Sequence, residues 1–159
     1  MIYSAVAQSA QPIISYNYGA GETQRVRQTF RHSVSISLGF GAIVTAIFCI
    51  MPHTIISIFL PGDSGCAALA AHGLPYYAIG FVFVAFNLSA IGYFQSTERA
   101  SIATILMLLR GVVALVAAFL LLPRWLGIEG LWLAVPCAEV LTFIAEICVW
   151  KRKSLHVAE

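Results

Sequence analysis

Three ionisable side chains stand inside long apolar runs of this 159-residue chain, and they are the residues best placed to do chemistry. Arg110 is the ninth residue of the run Ile102–Leu122, and Glu139 is the ninth of Leu131–Trp150. Glu146 follows Glu139 by seven residues, close to two helical turns, so both carboxylates project from one helix face. A lone charge near mid-bilayer costs about 2.5–3.5 kcal/mol on insertion scales. Two neighbouring antiparallel helices that each carry one therefore point to pairing, or to a shared water-filled cavity. Pro136 stands three residues before Glu139, and proline in a membrane helix frees a backbone carbonyl that a cavity can use. Two chemistries fit. Arg110–Glu139 is a structural clamp between two helices, or Glu139 or Glu146 answers to a proton or cation. Glu146 is near enough to a helix end to snorkel to the interface, and Glu139 is not.

The elements that must position these groups are four apolar runs, Ser33–Met51, Leu74–Phe94, Ile102–Leu122 and Leu131–Trp150, of 19, 21, 21 and 20 residues. At about 1.5 Å of rise per residue, about 20 residues cross a hydrocarbon core roughly 30 Å thick. The chain is 60% hydrophobic and 10% charged, with a mean hydropathy of +0.87, against about 25% charge in a soluble domain. The expectation is an all-α integral membrane protein.

This composition excludes several classes. The chain is too short to add a separate soluble catalytic domain to its spans, and a net charge of +2 gives no nucleic-acid footprint. Cys49, Cys137 and Cys148 lie in apolar runs and Cys66 in a connection. They show neither C-x-x-C nor Cys/His spacing, so they read as packing residues rather than zinc ligands or disulfides. His32, His53, His72 and His156 fall at span ends or in connections. With no nucleophile–base pair at one depth, an enzyme is not expected. Met1–Ala7 is apolar but short and lacks a preceding basic residue, unlike a secretory signal.

The first segment, residues 1–18, carries Gln8, Gln11, Asn17 and Pro12. It reads as a fifth membrane helix lining a polar space, or as an interfacial segment. Gly19-Ala20-Gly21 marks a turn, with Gly19 expected to need glycine's freedom at positive φ. Arg25, Arg27 and Arg31 then form a basic stretch, read as a short surface helix. Pro52 ends the second span, Gly65–Gly73 reads as a connection, and Pro75 suits the first turn of the next helix. Pro123 through Gly130 makes the last connection. Within Leu74–Phe94, Asn87 and Ser89 are the mid-span polar groups, either helix–helix hydrogen bonds or ligands. Tyr76, Tyr77, Phe81, Phe83 and Phe86 could line a drug pocket or simply pack, and Trp125, Trp132 and Trp150 suit an interfacial belt.

Charge sets the orientation. Alternate connections place seven basic residues on one side (Arg25, Arg27, Arg31, Arg99, Lys151, Arg152, Lys153) and only Arg124 on the other. Cytoplasmic connections collect Lys and Arg, so Gln24 and Ser154 are expected in the cytoplasm and Ser64 outside. Met1 then starts outside or within the membrane, which leads to the expectation that sequence upstream is missing.

The segment Gln11-Pro12-Ile13-Ile14-Ser15-Tyr16-Asn17-Tyr18-Gly19-Ala20-Gly21, followed by Arg25-Val26, resembles the end of the eighth helix of multidrug and toxic compound extrusion (MATE) transporters. Tyr93-Phe94-Gln95-Ser96 resembles the end of their tenth helix. Arg110, Pro123, Gly127, Gly130 and Pro136-Cys137-Ala138-Glu139 resemble the eleventh and twelfth in order and spacing. The resemblance covers nearly the whole chain. It implies about five transmembrane helices, over about 1–18, 33–51, 74–94, 102–122 and 131–150, forming the partial C-terminal lobe of a twelve-helix, two-lobe transporter. The N-terminal lobe and seventh helix are then lacking, and with them one wall of the cavity.

What the resemblance implies functionally is efflux of amphipathic or cationic drug-like molecules across the plasma membrane, driven by Na⁺ or H⁺, without other cofactors. Gln11, Asn17, Asn87 and Gln95 become candidates to line the cavity, and Arg110, Glu139 and Glu146 candidates for ion coupling or an intramembrane charge pair. Leu74–Phe94 lacks the acidic residue that some branches carry in the tenth helix. Two rivals stay open: a lipid or polysaccharide flippase of the same superfamily, and a non-transporting membrane subunit whose polar groups only fasten helices.

Overall fold

The computed structural model describes residues 2–60 and 65–155, with side chains described up to Lys151. Ser64, Pro61-Gly62-Asp63, His156 and the side chain of Ser154 lie outside the described residues. Among the described residues, eight α-helices and one π-helical segment follow one another: α1 (Ile2–Gly19), α2 (Thr23–Ile50), α3 (Pro52–Phe59), α4 (Gly65–Ala78), α5 (Gly80–Ser96), α6 (Ala100–Leu108), the π segment (Leu109–Ala114), α7 (Leu115–Leu126) and α8 (Ile128–Leu155).

Thr23–Ile50, Ala100–Leu126 and Ile128–Lys151 are each long and apolar enough to cross a membrane, and α4 with α5 makes a fourth span if the bent pair counts as one. The helix α1 forms over the expected first segment but is not among them; Gln8, Gln11 and Asn17 make it more polar. Large apolar side chains such as Ile43, Ile105, Val113, Leu120 and Ile144 are exposed along the outer faces of α2, α6, the π segment, α7 and α8. On a membrane protein that surface meets acyl chains rather than water.

Several boundaries differ from the sequence expectation. The basic stretch is not a separate surface helix but the opening turns of α2, which runs for 28 residues. At about 1.5 Å per residue this helix is roughly 42 Å long, so its first turns project beyond the hydrocarbon and carry exposed Arg25, Arg27 and Arg31 there. Gly65–Gly73 is helical, and Pro75 lies inside α4 rather than in its first turn. Alanines dominate that stretch and favour helix despite the glycines. Helices α4 and α5 meet at a 44° bend. There Thr45 Oγ1 donates to the Ala78 carbonyl at 2.9 Å, satisfying an acceptor that the broken ladder would leave bare. Pro123 lies inside α7, so the expected connection shrinks to Gly127.

The turns use helix-end geometry. After α1, Glu22 N–H donates to Asn17 C=O at 2.9 Å and Gly21 N–H to Tyr18 C=O at 3.0 Å, the paired bonds of a Schellman cap. The residue held at positive φ is Gly21 (φ 75°), not Gly19. The end of α5 is built alike: Arg99 N–H donates to Phe94 C=O at 3.0 Å with Glu98 at φ 59°.

The helix α5 lies at the centre, against α1, α2 and α8. Its buried residues, among them Gly80, Ala85, Asn87, Ser89, Ala90 and Gly92, are mostly small or polar. Small residues let membrane helices approach closely where hydrophobic burial offers no drive. Gly41 of α2 illustrates this: a Cβ there would lie 3.2 Å from the Phe81 carbonyl oxygen of α5. Ser89 Oγ reaches Ser37 Oγ of α2 at 3.4 Å.

Tertiary packing also gathers the charges. Phe30 of α2, Tyr93 of α5 and Trp150 of α8 stack with ring centroids 4.9–5.2 Å apart. The opening of α2, the α5–α6 turn and the end of α8 therefore share one end of the bundle, and with them Arg25, Arg27, Arg31, Arg99 and Lys151. The other end holds His72, Glu129, Arg124 and Trp125, the last almost fully exposed.

Candidate functional site

Arg110 lies on the π segment. A π turn takes an extra residue, so it offsets the faces of α6 and α7 from each other, and such bulges are frequent at functional sites. Opposite it, Glu139 lies on α8 one turn after Pro136. Arg110 Nη2 is 2.7 Å from Glu139 Oε1, and Arg110 Nε donates to both carboxylate oxygens at 2.8 Å. From α5, Asn87 Nδ2 donates to Glu139 Oε2 at 2.8 Å and to the Glu139 carbonyl at 3.0 Å. One carboxylate thus ties three helices together. Only 7% of the Glu139 side chain and 25% of the Arg110 side chain are exposed. Removed from water and doubly engaged, the pair is of the charge-assisted, forked kind.

Glu146 is different. It is 1% exposed, and neither carboxylate oxygen has a hydrogen-bond partner among the described residues. Phe86, Glu146, Ile147, Trp150 and Lys151 line a cavity of about 240 Å³ beside it. Between the two glutamates on the same face stands Thr142, fully buried, its hydroxyl donating to the Ala138 carbonyl at 2.9 Å. Asn87 Oδ1, across on α5, is buried and likewise without a partner.

The remaining candidates separate. Gln11 Nε2 donates to Gln95 Oε1 at 3.0 Å, joining α1 to α5. Asn17 Nδ2 bonds within its own helix, to the Ile13 carbonyl at 2.7 Å. The aromatic residues pack against partners: Phe81 on Phe48 and Tyr77, Phe83 and Phe86 on Phe143, Tyr76 on His72. Cys49, Cys66, Cys137 and Cys148 are free thiols. Among the described residues no group of three or more His, Cys, Asp or Glu could hold a metal ion. Sequence reasoning missed the π segment, the unpartnered state of Glu146 and the bond from Asn87 to Glu139. Asn87 at mid-span was the only signal available for the last.

The fold and its buried charges define a polytopic α-helical membrane protein. The MatE family matches residues 1–120, and the chain belongs to that family. Solved structures agree on the fold. An inward-facing multidrug resistance MATE family transporter of the MOP superfamily aligns with a TM-score of 0.84 at 16% identity, over 95% of this chain and 35% of that one. An outward-facing structure described in the same words gives 0.83 at 16%, over 95% and 34%. A MATE protein in complex with MaL6 gives 0.79 at 16%, over 95% and 34%. The chain therefore spans about a third of the length of these structures. No curated protein matches it.

Proposed function

We propose that this chain forms the larger part of the C-terminal lobe of a cation-coupled multidrug exporter in the plasma membrane, with its basic end and C-terminus in the cytoplasm. The observation that carries this reading is the Arg110–Glu139–Asn87 junction. It is a paired charge cluster that fastens α5, α8 and the π-bulged helix into one unit. Alternating access in transporters of this kind is largely rigid-body rocking of one repeat against another. The near-equal likeness to an inward-facing and an outward-facing structure supports a lobe that moves whole.

Transport of amphipathic or cationic drug-like molecules needs the opposing N-terminal lobe as partner, and Na⁺ or H⁺ supplies the drive. Gln11 and Gln95 on α1 and α5 are the polar side chains that would face the shared cavity, whereas Asn17 and Asn87 are buried within the lobe. The engaged state of Arg110 speaks against the flippase alternative, since a cationic cavity for anionic lipid needs a free guanidinium. The test is efflux of a cationic dye from cells expressing the full-length transporter, under imposed pH or Na⁺ gradients. Dye efflux that follows one gradient supports the reading; unchanged dye retention under both gradients sinks it.

A further inference from the structure

We propose that Glu146 is a proton-binding site at the basic end of this lobe, distinct from the Arg110–Glu139 junction. The proposal rests on the reading of the chain as part of a cation-coupled exporter and gives that reading a residue.

The unpartnered buried groups of the described residues include Tyr3 Oη, Ser33 Oγ and Trp132 Nε1, together with three acceptors. Both Glu146 carboxylate oxygens and Asn87 Oδ1 are buried acceptors without donors among the described residues. A carboxylate accepts only, whereas its protonated form also donates. Whatever completes this site must therefore bring a proton, donor hydrogens or a cation. The unpaired charge of Glu146 in an apolar surround is costly, whereas a proton on that oxygen removes the charge and leaves a hydroxyl free to donate. Glu139, by contrast, has its charge matched by Arg110 at 2.7 Å and its oxygens occupied. The two glutamates of one helix face thus take opposite parts: one is locked, the other is free to exchange.

Glu146 lies toward the basic end of the bundle, one turn before Trp150. The cavity beside Glu146 is walled by Phe86, Ile147 and Trp150, with exposed Lys151 at its edge. Among the described residues, the charged groups near it are Lys151 on the same helix and the Arg110–Glu139 pair about 10 Å along the axis. From α5, Phe86 lines the same cavity, Asn87 bonds to Glu139, and α6 packs alongside with apolar Ala103 and Leu106. From α2, Phe30 stacks on Trp150. Thr142, midway between the glutamates, adds a buried hydroxyl to the same face.

Dicyclohexylcarbodiimide, which attacks protonated carboxyls in apolar surroundings, tests this in membranes holding the expressed chain, with the modified residue located by peptide mass spectrometry. Glu146 should be modified at mildly acid pH, less as pH rises, and Glu139 should be spared. Glu146→Gln should lose the modification while the amount of inserted chain is unchanged. Na⁺ is the second arm: suppression of labelling by Na⁺ but not K⁺ at fixed pH would overturn the proton assignment in favour of a Na⁺ site. An unmodified Glu146 at every pH, or labelling indifferent to pH, would overturn it outright. Because the readout is chemical, failure here is separable from failure of dye efflux in the full-length protein.

Discussion

Arg110 and Glu139, on neighbouring antiparallel spans, close a forked ion pair with Nη2 to Oε1 at 2.7 Å and Nε 2.8 Å from both oxygens. Its consequence is that neither helix can slide or rotate without exposing a charge to hydrocarbon. Removing one partner of a buried pair typically costs about 3–5 kcal/mol. Partners found by loose helices within the membrane reduce that figure, so about 3 kcal/mol is expected for Arg110→Ala or for Glu139→Ala. The double replacement should recover part of the loss. Thermal unfolding of the detergent-purified variants measures it, and strictly additive losses would argue against coupling between the two.

Glu98 holds a conformation that suits glycine. Its φ of 59° places an L side chain in the left-handed region, at a cost of roughly 1–2 kcal/mol. It stands at the αL position of the cap that ends α5, the same place that Gly21 fills after α1. Glu98→Gly should stabilise the fold by about 0.5–1 kcal/mol after the entropy that glycine loses on folding, read as a raised unfolding midpoint. A lowered midpoint would show that the Glu98 side chain stabilises the fold more than its φ costs.

Gly73 and Gly130 are required for space rather than for dihedral freedom. A Cβ on Gly73 would come within 2.0 Å of the Trp132 ring, and one on Gly130 within 2.5 Å of the Leu122 backbone. Gly130→Ala meets backbone and has nowhere to move, so it should lower the yield of folded, monodisperse protein. Gly73→Ala should be harmful too, and Gly73→Ala with Trp132→Phe should recover part of the yield because the smaller ring frees room. Size-exclusion profiles of membrane extracts read both outcomes.

Topology is open to direct test. Position 24 stands in the exposed first turn of α2 at the basic end, and native Cys66 is exposed at the opposite end. In a background lacking the other cysteines, Gln24→Cys should react with an impermeant thiol reagent only from the cytoplasmic face, and Cys66 only from outside. The reverse pattern would invert the orientation.

Membrane character was legible in the sequence, because a run of about 20 apolar residues has few fates other than crossing lipid. So were the two mid-span charges, whose cost in hydrocarbon makes a partner close to obligatory. Helix ends were less legible. The sequence places apolar runs but not the polar turns that extend them: α2 begins ten residues before its apolar run, and α4 is helical where glycines suggested a connection. Which acceptor each donor finds was decided by tertiary structure alone. Asn87 meets Glu139 because α5 is clasped between α2 and α8, a matter of close approach through glycine and alanine that hydropathy does not encode. The same packing leaves Glu146 without a hydrogen-bond partner among the described residues, although it shares a helix face with Glu139. Sequence spacing sets which groups face one way; only the neighbouring helices determine which of them is neutralised and which is left to bind something else.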